Sequence, residues 1–194
     1  MARLDNKVAI ITGAGRGMGA SHARRFIKEG AKVTLTDVNE VAIRELAEEL
    51  GDNARYTVQD VTKAEDWRRA VEETETAFGD VTVLVNNAGI LGPIAKTADL
   101  DEDDYLKVCA INQHSQFLGM KAVIPSMQRA GTGSIVNILS LAVCGPTTDS
   151  RALGLRGQQV RDPGDDEGDR PGARARQHSR ELRAPRPHQH ADDG

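Results

Sequence analysis

Residues 12–19, Thr-Gly-Ala-Gly-Arg-Gly-Met-Gly, have the composition of a phosphate cradle. Three of the glycines have separate physical roles. Gly13 permits a tight turn, Gly17 lets the backbone approach a pyrophosphate, and Gly19 allows close packing of a helix on a strand. The free N–H groups of a helix starting here, near Met18, would face the phosphates. Arg16, inside the same turn, adds a charge that favours phosphate. Asp37 follows 18 residues after Gly19. A carboxylate at that place can accept hydrogen bonds from the adenosine ribose hydroxyls and would repel a 2′-phosphate, so the expected cofactor is NAD rather than NADP. Read more plainly, the glycines are a loop and Asp37 a turn acid; the strand–turn–helix setting favours the first reading. No metal site is expected, because neither Cys109 nor Cys144 has a Cys or His at ligand spacing, and both read as core thiols.

The elements around this turn alternate. KVAIIT (7–12), AKVTLT (31–36), ARYTVQ (54–59), VTVLV (81–85) and GSIVNIL (133–139) read as strands. Helices are expected over 17–29, 39–50, 63–78 and, as one long element, 101–129. Repeated strand–helix units with continuously apolar strands imply a parallel sheet covered on both faces. The fold class is therefore α/β, a Rossmann-type doubly wound sheet of about five strands, incomplete at its C-terminal side.

The chain has two halves of different character. Residues 1–145 form the expected nucleotide-binding domain, and residues 146–194 an irregular, disordered tail. Residues 151–194 hold nine arginines, eight acids, four prolines and six glycines, but one valine and no isoleucine, lysine or aromatic residue. Such a stretch cannot bury enough apolar surface to offset its ordering entropy. The net charge of −4 gives no general pull toward nucleic acid or an anionic membrane. The apolar runs are too short to span a bilayer, and the N-terminus lacks a secretory h-region. A reducing cytoplasm is the expected compartment.

The spacing G-x-x-x-G-x-G at Gly13, Gly17 and Gly19 resembles the classical short-chain dehydrogenase/reductase family. The stretch Asn86-Asn87-Ala88-Gly89 after the fourth strand matches that family's second signature, and Asp60-Val61 its adenine-contacting pair. Asn112, in the long helix, matches its structural and proton-relay asparagine. GSIVNILS (133–140) matches its fifth strand, where Ser140 orients the substrate carbonyl, although Leu139 stands where a second serine is usual. The resemblance covers about 140 residues in the correct order. Simpler roles exist: Asn86 as a strand-end cap, and Asn112 as a polar helix residue bonding its own backbone. GRGMGASHARRF (15–26) and LGMKAVIPSM (118–127) look like bacterial hydroxysteroid dehydrogenases. A secondary alcohol or ketone is then the implied substrate, and a homotetramer the implied assembly of an intact relative.

The family reaction moves a hydride between an alcohol carbon and nicotinamide, and needs a tyrosine to exchange the hydroxyl proton. A lysine four residues later lowers the phenol pKa. No Tyr-x-x-x-Lys occurs between Ser140 and Gly194; the tyrosines are Tyr56 and Tyr105, and the last lysine is Lys121. The tail reads as the family's own C-terminus in a shifted frame. Leu155 to Val160 back-translate to CTA CGT GGC CAG CAA GTT, and omitting the first base gives Tyr-Val-Ala-Ser-Lys. One inserted base near Gly154 would produce this tail. Two functions are thus expected to compete: an NAD-dependent alcohol dehydrogenase by descent, and a non-catalytic NAD-binding fragment.

Overall fold

The computed structural model describes residues 2–138, all within the first of two units, Met1–Gly154 and Leu155–Gly194. The expected domain boundary at residue 145, the tail and Ser140 lie outside the described residues.

Runs of β-branched and aliphatic residues make the sheet. Strands β1 (Val8–Thr12), β2 (Lys32–Asp37), β3 (Ala54–Val58), β4 (Val83–Asn86) and β5 (Ser134–Asn137) are all parallel, in the order β3-β2-β1-β4-β5. β1 is central and fully buried; Ile10 sits opposite Thr34 on one side and Leu84 on the other. The chain leaves β1 toward β2 and β3, then returns past β1 to β4. That reversal opens a crevice at the carboxyl ends of the strands, where ligands bind in such sheets.

Five helices connect or follow the strands: α1 (Gly17–Lys28), α2 (Glu40–Leu50), α3 (Ala64–Phe78), α4 (Glu102–Cys109) and α5 (Ser115–Ala130). Strand alternation divides the core between two faces. Ala9 and Ile11 pack with Ala23 of α1, Leu35 of β2 and Ile43 of α2. Ile10 instead packs with Trp67 of α3, Leu84 of β4 and Val123 of α5. Each isoleucine, leucine or valine among them, taken from water, stabilises the fold by about 1.5–3 kcal/mol. Trp67 also donates its indole N–H to the Val61 carbonyl at 2.9 Å, which ties α3 to the end of β3.

The local stops are chemical. Asn39 caps α2 by accepting from the Ala42 amide, and Gly51, at φ 75°, ends it. Asp101 caps α4 by accepting from the Asp103 and Asp104 amides, and Gly131, left-handed at φ 66°, ends α5.

Three expectations need refinement. The strand expected at 81–85 is instead Val83–Asn86, and the Val81 amide before it donates to the Ser126 hydroxyl at 2.9 Å. The single helix expected at 101–129 is interrupted by a π-helical turn, Ala110–His114, between α4 and α5. The extra residue in that wide turn is a known device at functional positions, and Asn112 sits in it. Finally, the strand expected at 133–139 runs from Ser134 to Asn137, and Leu139 lies outside the described residues.

Candidate cofactor site

The turn between β1 and α1 is built against the segment that follows β4. The Thr12 hydroxyl accepts from the amides of Asn87 and Ala88, both at 3.0 Å. Asn87 returns the contact, donating its carboxamide to the carbonyls of Thr12 at 2.8 Å and Gly13 at 3.2 Å. Gly13, at φ 62°, passes so close to Ala88 that a Cβ would lie 2.9 Å from its Cα. Gly19 is tighter still, with a Cβ position 2.2 Å from the Gly13 oxygen. Gly17 differs: nothing lies within 4 Å of its Cβ position, and its φ of 56° alone favours glycine.

α1 begins at this turn without protection. Arg16, at its N-cap, makes no capping hydrogen bond, and its first turn holds no acid. α2 and α4 have side-chain caps, and α3 has Glu65 and Asp66 in its first turn. The positive end of α1 is therefore free to meet an anion.

Two acids stand at the neighbouring strand ends. Asp37 accepts the Gly15 amide on one oxygen and the Asn39 amide on the other, both at 3.0 Å. These bonds fix the carboxylate in place and leave each oxygen with spare acceptor capacity. Asp60 accepts from the Thr62 hydroxyl at 2.7 Å and the Thr62 amide at 3.0 Å, while its own amide is held by Asp66. The Thr62 hydroxyl is the main cause holding the Asp60 carboxyl below its usual range; burial opposes it, and Lys63 adds a weaker pull in the same direction.

All of this surrounds a cavity of ≈ 380 Å³. The glycine turn contributes Gly13, Arg16, Gly17 and Met18 to its lining. Asp37, Asp60 and Val61 line it from the strand ends, and Asn87, Ala88 and Gly89 from the segment after β4. Gly19 is not in the lining; it is the packing point beneath. Sequence reasoning missed Val38, Gln59, Ile90 and Ile111, four further lining residues. Their apolar or uncharged types give no chemical signal, and only their places beside Asp37, Asp60, Gly89 and Asn112 mark them.

Asn112 does not bond its own helix through its side chain. Its carboxamide accepts from the Ile90 amide and donates to the Ile90 carbonyl, each at 2.8 Å. Asn86 is more than a strand-end cap, since it donates to the Asn137 side chain at 2.8 Å and so links β4 to β5. Ser140 lies outside the described residues. Gln116, another residue the sequence did not single out, donates to the Ile138 carbonyl at 3.2 Å and holds the chain just before it.

A parallel α/β sheet with a glycine-lined crevice at its switch point defines a nucleotide-binding class of protein. The chain belongs to the short chain dehydrogenase family, whose pattern it matches over residues 7–148. It is 45% identical over 139 residues to the 3-alpha-(or 20-beta)-hydroxysteroid dehydrogenase of Mycobacterium tuberculosis, a match covering 72% of this chain and 53% of that protein. It is 43% identical over 148 residues to a 2,5-dichloro-2,5-cyclohexadiene-1,4-diol dehydrogenase of Sphingobium indicum, covering 75% and 59%. Among solved structures, a 3-ketoacyl-(acyl-carrier-protein) reductase from Brucella melitensis complexed with NADH is similar, with a TM-score of 0.64 and 36% identity. That match covers 66% of this chain and 53% of the reductase. The chain thus spans about half the length of the curated relatives it matches. Among the described residues no helix is long and apolar enough to cross a membrane, and no cluster of His, Cys, Asp or Glu could hold a metal ion.

Proposed function

We propose that this chain binds NAD(H) in the crevice at the ends of β1, β2 and β4, and that it does so without turning over an alcohol. The uncapped start of α1, opening beside Gly17 onto the cavity, is the observation that carries the binding reading. The amides of Gly17 and Met18, with Arg16, suit the pyrophosphate. Asp37 suits the ribose hydroxyls and disfavours a 2′-phosphate. Val61 and Asp60 suit the adenine, and Asn87 to Ile90 the nicotinamide end. The bound cofactor would supply a hydride donor or acceptor.

The chain must supply the proton path. Asn112 is placed to position the Ile90 backbone rather than to titrate, and Ser140 is the proposed contact to a carbonyl oxygen. The phenol and ammonium that the resemblance requires are missing from residues 141–194. We assign the tail to a one-base shift near Gly154, so that a gene with that base removed encodes the active enzyme. Its proposed substrate is a cyclic secondary alcohol or ketone of hydroxysteroid type. Support comes from the relatives' names and from exposed Ile90, Leu91 and Ile94 after β4, an apolar wall suited to a ring.

Thermal unfolding of the full chain with NAD and with NADP, beside a turnover assay, tests both parts. NAD should raise the midpoint more than NADP does, with no NAD reduction on a cyclic secondary alcohol. The frame-restored version should reduce NAD. Equal shifts by both dinucleotides would refute the role of Asp37, and turnover by the 194-residue chain would refute its proposed inactivity.

A further inference from the structure

The π turn Ala110–His114 alters the hydrogen-bond pattern of its helix. Amides in such a turn reach further back than usual, and the Ser115 amide donates to the Ala110 carbonyl, five residues earlier. Two side chains from the start of α5 serve carbonyls in between. The Ser115 hydroxyl donates to the Ile111 carbonyl at 2.6 Å, and the Gln116 carboxamide donates to the Asn112 carbonyl at 3.0 Å. Both residues are buried.

A primary carboxamide has two N–H groups, so Gln116 has a second one to place. It goes to the Ile138 carbonyl at 3.2 Å, 22 residues along the chain. The Ile138 amide donates to the Asn86 carbonyl at 2.9 Å, so the chain leaving β5 is gripped at both backbone groups of one residue. At the other end of the bridge, Asn112 holds Ile90 through its side chain. One nitrogen thus joins the segment after β4, by way of the π turn, to the end of β5.

We propose that Gln116 is a positioning residue for the reaction end of the crevice. It fixes the span between the Ile90 wall and the end of β5, two residues before Ser140 in sequence. The inference rests on the NAD(H) reading, since that end is where the nicotinamide would lie. The two carbonyls select the residue type. Methionine matches the length but has no donor, and glutamate would lay a carboxylate against two carbonyl oxygens.

Gln116→Met in the full chain tests this, because it keeps the reach of the side chain and removes both donors. NAD affinity should fall about fivefold, the worth of one hydrogen bond, with ADP-ribose affinity unchanged. The carbonyl carbons of Asn112 and Ile138 should both move upfield in NMR spectra, and exchange of the Ile90 amide should accelerate. Gln116→Met added to Asn112→Ala should weaken NAD binding no further than Asn112→Ala alone, because the two act in series. An equal loss for ADP-ribose, NAD affinity equal to wild type, additive losses in the double variant, or a shift at only one carbonyl would each overturn it. If the wild type binds neither ligand, the NAD(H) reading itself fails. The linkage is then decided at the Ile90 amide: faster exchange in Gln116→Met supports it, and exchange at the wild-type rate overturns it.

Discussion

The two ends of the crevice are held in different ways. At the β1–β2–β3 end the anchors are carboxylates: Asp37 grips the Gly15 and Asn39 amides, and Asp60 grips the Thr62 amide and hydroxyl. At the β4 end, the chain runs from Ile90 into exposed apolar residues, with Leu91 at 62% and Ile94 at 64% exposure. There the recorded anchors are the two Asn112–Ile90 bonds. The first end is thus held by charged acceptors on several amides and the second by one neutral carboxamide; the Asp37–Gly15 and Asn112–Ile90 bonds each span 22 residues, so chemistry and not sequence distance separates them. On the proposed reading, cofactor recognition persists without the reaction, because the crevice is lined by residues between Gly13 and Ile111 whereas the missing phenol and ammonium belong after Ser140.

The sharpest way to break that contrast is at Gly19. A Cβ there meets a backbone oxygen at 2.2 Å, and backbone cannot swing aside. Gly19→Ala should cost about 3 kcal/mol and abolish the NAD-dependent rise in unfolding midpoint. Gly17→Ala meets no atom within 4 Å and pays only for its positive φ, about 1–2 kcal/mol. Chemical denaturation of the two variants should rank them in that order; equal losses would mean that the helix–strand approach at Gly19 is not what the turn requires.

Asn112→Ala attacks the other end. It removes both bonds to the Ile90 backbone and should cost about 1–2 kcal/mol, because partly exposed Ile90 regains some hydrogen bonding from water. Its informative readout is selective. Hydrogen exchange at the Ile90 amide should accelerate, while affinity for ADP-ribose, which lacks the nicotinamide, stays at the wild-type value. A matching loss for ADP-ribose would show that the two ends are not independent.

The legible parts of the molecule follow the same division. Strand and helix placement came from apolar runs and glycine stops, since a fully buried parallel strand such as VAIIT shows no polar alternation. The glycine turn was legible because backbone conformation restricts residue type. The π turn was not: Ala-Ile-Asn-Gln-His is acceptable helix, and only the distant Ile90 backbone distinguishes Asn112 within it. The bland reading of that asparagine failed for the same reason. Gln59 and Ile111 line the cavity through position alone, which one sequence does not encode. The Val81 amide, just before β4, is held by Ser126, 45 residues away.

A smaller effect is expected from Asp37→Ser, which keeps one hydroxyl but removes the charge. The Gly15 and Asn39 amides lose their carboxylate partner, and repulsion of a 2′-phosphate disappears. NAD affinity should fall about tenfold, equivalent to about 1.4 kcal/mol, while NADP affinity holds or rises. Titration with both dinucleotides reads the ratio directly, and an unchanged ratio would remove Asp37 from the selectivity.

The smallest effect concerns Asp60, whose carboxyl is held below its usual range chiefly by the Thr62 hydroxyl. A folded-state pKa below the unfolded one stabilises the protein above the unfolded value, about 3.9, and that contribution fades as pH falls through the folded value. Asp60→Asn cannot lose what it never had. Urea midpoints of wild type and variant should therefore differ most near neutrality and converge below about pH 4. The side chain is 38% exposed, so solvent screening keeps the gap small. A gap that stays constant into acid would assign the Asp60 contribution to hydrogen-bond geometry that the asparagine disrupts, and not to its charge.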